Sequence, residues 1–170
     1  MRTRTAQTLE WVTTQNWLFD IALDCLSLGC AWLLQAQQEN GGAIAQAEEF
    51  LKRAIDGLRQ AGRQDHLPRG LLTRAACFRL RGSIDEADGY DRARADLDEA
   101  FALATHGDMR LHLADCHLES ARLALALGEM DKASDHWRQA RDLIAQTGYH
   151  RRDGELAEIE ARLKTASITE

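Results

Sequence analysis

Three nitrogen- or sulfur-bearing side chains able to ligate a metal fall close together in the stretch HLADCH: His112, Cys116 and His117. His112 and Cys116 stand at i and i+4, so on a helix they share a face, where an imidazole nitrogen and a thiolate could reach one ion. His117 sits about 100° further round such a helix, and no second close ligand pair accompanies it. Packing is therefore the stronger reading for all three. Cys25 and Cys30 are five positions apart, too far round a helix to act as a pair. With Cys77 they complete a set of four cysteines that contains no C-x-x-C, and buried, reduced thiols in a cytoplasmic protein are expected. The chain carries no nucleophile elbow, phosphate loop or metalloprotease pattern. The expectation is a protein that is not an enzyme, with no catalytic residue, no metal and no cofactor.

Charge is the other chemistry available. Residues 63–81 hold Arg63, Arg69, Arg74, Arg79 and Arg81 against Asp65 alone, whereas residues 85–99 hold seven acids against Arg92 and Arg94. Two readings stay open. A basic helix and an acidic helix can simply steady one another. Alternatively Arg69, Arg79 and Arg122 line a basic groove for an acidic peptide, since guanidinium grips carboxylate bidentately. The net charge of −6 disfavours a general nucleic-acid or anionic-membrane surface. Residues 17–36 approach the length of a membrane span, but Asp20 and Asp24 fall inside it, and no membrane role is expected.

The elements that must position these groups are helical. One proline, 6% aromatic residues and 45% hydrophobic residues over 170 positions suit an all-α globular chain. Gly29, Ala75 and Ala121 recur at intervals of 46, and so do Leu26, Leu72 and Leu118. Ile21, Leu67 and Leu113 follow the same offset, and Trp32 falls on Phe78. A second series pairs Ala47 with Ala93, Leu51 with Leu97 and Ala54 with Ala100, and continues as Ala133, Trp137 and Ala140, displaced by 40 rather than 46 because the turn between the helices is shorter. Each unit reads as two helices, with small residues at close approaches and large apolar ones three or four positions away.

Stops are expected at Asn40-Gly41-Gly42, Ala61-Gly62, His106-Gly107, Leu127-Gly128 and Thr147-Gly148. Asp65 and Asp108 are candidate N-caps, Ser83 to Glu86 has the form of a capping box, and Pro68 falls in a first helical turn. The map that results is a helix to about Thr14, then helices over 17–37, 43–61, 66–81, 85–105, 109–127, 131–146 and 152–165. These should stack as antiparallel hairpins into a right-handed solenoid. On this view LSLGCAWLL (26–34), a run with no charge, is core, packed on several sides.

The stretch LESARLALALGEMDKASDHWRQARDL (118–143) resembles a tetratricopeptide repeat, with Ala121 midway along its first helix, Gly128 at the turn, and Ala133 and Ala140 flanking Trp137. Leu28-Gly29 followed by Trp32 resembles the same first-helix pattern. The resemblance implies a single all-α domain over 1–170, with a helix of a truncated repeat at 1–14. It further implies repeats at 21–66, 67–112 and 113–148, and a capping helix in 149–170. The spacing of 46 exceeds the 34 or so usual in that family.

HLPRGLL (66–72), MRLHLADCHLESARL (109–123) and GYHRRD (148–153) resemble C-terminal repeat arrays of large bacterial signalling proteins. That implies a sensor or docking part of a longer chain. The start, RTAQTLEWVTTQ, looks like the second helix of a pair.

Family members commonly bind peptides on a concave surface built from first helices. Carried onto this sequence, that surface includes Arg69, Leu72, Ala76, Arg79, Asp115, Leu118, Arg122 and Leu125. Asn16 and Asn40 lie off the matching faces, so the asparagine/lysine clamp of chaperone-tail binders is not expected. GYHRRD adds Tyr149, Arg151 and Arg152, which read either as a structured turn over a packed tyrosine or as a partner contact. The expected function is a non-catalytic scaffold for a protein or peptide partner, acidic if the basic groove is real. Homodimerisation through an N-terminal helix carrying Trp11 and Trp17 is the alternative. RNA binding through 63–81 is disfavoured by net acidity and by the scarcity of interleaved aromatics.

Overall fold

A computed structural model describes the backbone of residues 2–39, 42–84 and 88–166, with side chains from Trp17 onward. Asn40, Gly41, Asp85 and Glu86, and the side chains of Trp11 and Asn16, lie outside the described residues. Among those described, the protein is all-α. It runs through α1 (Arg2–Gln38), α2 (Ile44–Gln60), α3 (Leu67–Ile84), α4 (Asp88–His106), α5 (Arg110–Ala126) and α6 (Met130–Thr147), then a short 3-10 turn (His150–Arg152) and α7 (Asp153–Ala166). Successive helices pack as antiparallel pairs. Two compact units divide the chain, residues 1–70 and 71–170, with the boundary inside α3.

The helix expected to stop near Thr14 does not stop. Thr13-Thr14-Gln15-Asn16 contains neither glycine nor proline, and the hydrogen-bond ladder runs on into α1. Elsewhere the breaks arise from backbone chemistry. After α2, Gly62 takes a left-handed φ of 67°, its N–H bonds to the Arg59 carbonyl and that of Arg63 to the Leu58 carbonyl. Gly128 closes α5 by the same pair of bonds, at φ 74°.

After α4 the left-handed residue is Asp108, at φ 48°, rather than Gly107. Asp108 therefore belongs to the stop after α4, and Met109 precedes α5 without any side-chain cap. Asp65 lies two residues before the start of α3, where Arg63 holds its carboxylate through two bonds of 3.1 and 3.0 Å. Ser83 lies inside α3 and its hydroxyl donates to the Leu80 carbonyl, while Asp85 and Glu86 of the expected capping box fall outside the described residues.

In the first unit, Ala22, Leu26, Leu33 and Ala36 of α1 and Ala47, Leu51, Ala54, Ile55 and Leu58 of α2 form the core. The helices meet closely at Gly29, where a Cβ would stand 2.7 Å from the Leu51 side chain. The charge-free run 26–34 is core on one face only. Leu26, Gly29 and Leu33 are buried, but Ser27, Leu28, Ala31 and Leu34 are exposed, because α2 covers one side of α1. Trp17–Gln38 is long and apolar enough to cross a bilayer by length and composition alone, with Asp20 and Asp24 inside it.

The second unit has two apolar clusters. One joins Ala75 and Phe78 to Ala93, Leu97 and Leu123, with Leu72 and Tyr90 against it. The other joins Ala114, Leu118 and Ala121 to Ala140, Ile144, Tyr149 and Ile159, with Trp137 against it. Burial follows the repeat at the small-residue positions: Gly29, Ala75 and Ala121, spaced by 46, are buried, and so are Ala47, Ala93 and Ala133, the last 40 positions after Ala93. It fails in the Ile21 series, where Ile21 is exposed and Leu67 buried.

Candidate recognition surface

Helix α5 sets the frame. Asp115, Glu119 and Arg122 follow one another at i, i+4 and i+7, so one side of the helix carries all three. Glu119 is buried beside the core and accepts a 2.6 Å bond from Arg79 Nε of α3. It also faces Arg122 Nη1 at 3.5 Å. Arg122 Nη2 then reaches α7, donating to Glu155 at 2.8 Å and to Glu158 at 3.4 Å. Glu155 accepts from Arg152 as well, and Arg152 Nε returns to α5, donating to Asp115 Oδ1 at 2.8 Å. The Tyr149 hydroxyl donates to the other oxygen of Asp115 at 3.2 Å, while Arg151 donates to that hydroxyl at 2.6 Å.

Arg79, Asp115, Arg122, Tyr149, Arg151 and Arg152, expected from the sequence as surface groups, thus belong to one connected network within the second unit. Three expectations fall elsewhere. Arg69 is exposed in the first turn of α3, in the first unit. Leu72 is half-buried against the Phe78 cluster. Leu118, expected at the surface, is only 1% exposed, because its face of α5 points into the core shared with α6 and α7.

The electrostatics follow from pairing. Burial alone would lower the Arg122 pKa, but Glu119, Glu155 and Glu158 more than compensate and raise it. Arg152 behaves alike, with burial outweighed by Asp115 and Glu155. Burial would raise the Glu155 carboxyl, yet the two guanidiniums hold it below its ordinary value. The network balances four arginines (79, 122, 151 and 152) against four carboxylates (115, 119, 155 and 158). It is a self-satisfied lattice of charge, not a bare basic groove. Its loosest member is Glu158, whose side chain is 54% exposed.

The sequence reading overlooked Glu119, Glu155 and Glu158. Local signals for them existed in the i+4 and i+3 steps from Asp115 to Glu119 to Arg122 and in Arg152 followed by Glu155. The pairing of a basic with an acidic helix does occur, between Arg74 and Asp96 of α3 and α4, at 2.8 and 2.7 Å. The turn reading of GYHRRD also holds: Tyr149 is buried, with Arg151 and Arg152 stacked 4.8 and 5.7 Å from its ring centre.

The metal-type side chains are placed differently. Burial, helped by Asp115, pushes the Cys116 thiol up to about 12, so it carries no thiolate at neutral pH. His117 turns instead toward His136 of α6, with 3.0 Å between the two Nδ1 atoms. Among the described residues, no group of three or more His, Cys, Asp or Glu is placed to hold a metal ion. Comparison with family models, curated proteins and solved structures finds no match to this chain.

Proposed function

We propose that this chain is a non-catalytic recognition scaffold. Its hairpins continue as a right-handed solenoid of the tetratricopeptide type, it works in the cytoplasm, and it serves as the docking or sensor part of a larger bacterial signalling protein. The partner is a protein or peptide with carboxylate groups, received beside Arg122, Arg151 and Arg152.

The observation that carries this reading is that Arg122 and Arg152 meet at Glu155, while Arg152, Tyr149 and, through the Tyr149 hydroxyl, Arg151 gather at Asp115, on a partly exposed patch. Arginines already ordered by internal carboxylates lose little rotamer freedom on binding. A partner carboxylate takes the place of Glu158, the most exposed and one of the more distant acids on Arg122.

Fluorescence anisotropy with short Asp/Glu-rich peptides tests this. Glu158→Gln removes the internal competitor and should tighten binding several-fold, while Arg151→Glu should weaken it about tenfold, with the loss growing at low salt. Indifference of binding to both changes removes the reading.

A second reading is self-association through α1. It is favoured by Trp17, Ile21, Leu28 and Leu34, all exposed and apolar, with Trp17 at 67%. Light scattering that shows a concentration-dependent dimer, abolished by Leu28→Asp, supports it. A monomer at high concentration excludes it.

A further inference from the structure

A cavity of about 260 Å³ opens between α4, α5 and α6 in the second unit. Leu97, Phe101, Leu123 and Ala124 supply apolar wall, and Ser120 and His136 supply polar atoms. A cavity of about 150 Å³ already admits benzene, so this volume takes one or two fused rings.

Four charged side chains, Arg94, Asp98, Glu129 and Lys132, also line it, two of each sign. Lys132 and Arg94 both turn to Glu129, at 3.0 and 3.8 Å. The lining thus carries no net charge, and gives no overall preference for an anion or a cation.

Behind the wall, Phe101 meets the His117 ring edge-on at 4.8 Å between centroids, and His117 Nδ1 faces His136 Nδ1. A contact of that length between two imidazole nitrogens needs one shared proton, so one ring donates and the other accepts. His136 Nδ1 is thereby committed, and Nε2 is the nitrogen left for a ligand. If His117 donates, His136 Nε2 carries a proton. If His136 donates, Nε2 is an acceptor. Burial keeps both rings from charging at neutral pH, His117 most of all, with a pKa lowered to about 4 by burial and by His136.

We propose that this cavity is a binding site for a small, uncharged, flat molecule with one O–H or N–H group, of the phenol or indole type. Its ring packs on Phe101 and Leu123, and its polar hydrogen bonds to His136 Nε2 in the tautomer where His136 Nδ1 donates to His117. Nothing in this depends on the recognition surface around Arg122.

The test is NMR titration of the full chain with phenol, with indole, and with toluene as the apolar counterpart of phenol. Saturable shifts in the imidazole signals of His136, with Kd about 1 mM or tighter and phenol favoured over toluene, are expected. Ala124→Phe fills the cavity and should weaken binding at least tenfold. Leu127→Trp, at a position 36% exposed, should do the same without burdening the core if Ala124→Phe fails to fold. His136→Phe should abolish the preference for phenol over toluene while leaving toluene binding in place. Absence of saturation with every probe overturns the proposal, as does binding unchanged by both cavity-filling variants. A phenol preference that survives His136→Phe overturns the assigned hydrogen bond.

Discussion

The run 26–34 of α1 has no charged residue, whereas the middle of α5 carries Asp115, Glu119 and Arg122. Composition alone would bury the first and expose the second. In the protein α1 keeps Leu28 and Leu34 in solvent, Leu34 at 61% exposure, while Glu119 of α5 is among the few buried charged groups. The difference lies in what surrounds each helix. Within its unit α1 has α2 along one side, but α5 has neighbours on several: α3 and α4 through the Leu123 cluster, α6 and α7 through the Leu118 cluster. A charge can be enclosed there because arginines from α3 and from α5 itself arrive to neutralise it. Apolarity permits burial, and neighbours accomplish it.

Substitutions along the two helices sharpen this contrast. Leu118→Ala should cost about 3–4 kcal/mol in urea denaturation, since a fully enclosed leucine leaves a cavity that its rigid neighbours cannot fill. Leu34→Ala on α1 should stay within about 0.5 kcal/mol. Equal costs at both sites would break the comparison.

Glu119→Ala leaves Arg79 and Arg122 facing each other's charge without their shared acid, and should cost about 3 kcal/mol. Asp135→Ala, which removes a pair exposed on both sides, should cost less than about 0.5 kcal/mol. Gly89→Ala should cost about 2 kcal/mol, because the new Cβ would stand 2.7 Å from backbone atoms of Phe78 and Gly82. Gly154→Ala, with nothing within 4 Å, should be neutral or stabilising.

A further contrast concerns pH. His117 titrates at about 4 in the folded protein against 6.5 for an unperturbed side chain. Between those values the unfolded chain binds more protons, so stability is intact above about 6.5 and falls as pH drops toward 4. After allowance for solvent screening the loss attributable to His117 is about 1–2 kcal/mol. His117→Gln should flatten that part of the stability profile, and an unchanged profile would show that His117 is not enclosed as described.

Much of the helical framework was legible. The intervals between Gly29, Ala75 and Ala121 mark buried close approaches because only small side chains fit there, a local rule written in residue size. Gly62 and Gly128 announced their breaks for an equally local reason, the left-handed φ at each. The break near Thr14 was misplaced because Thr13 to Asn16 hold neither glycine nor proline to enforce it. The surface groups Arg79, Arg122, Tyr149 and Arg152 were found, but their state was not. An arginine in a sequence looks the same whether it awaits a partner or already holds Glu119.

Helix identity and the spacing of the small residues follow from chain-local physics, periodicity and backbone dihedrals, and could be read one residue after another. Which face of α1 stays wet, which carboxylate neutralises which guanidinium, and the meeting of His117 with His136 were decided only when distant segments packed. Burial and charge pairing depend on atoms 19 to 40 positions away in the chain, and no local pattern specifies those partners.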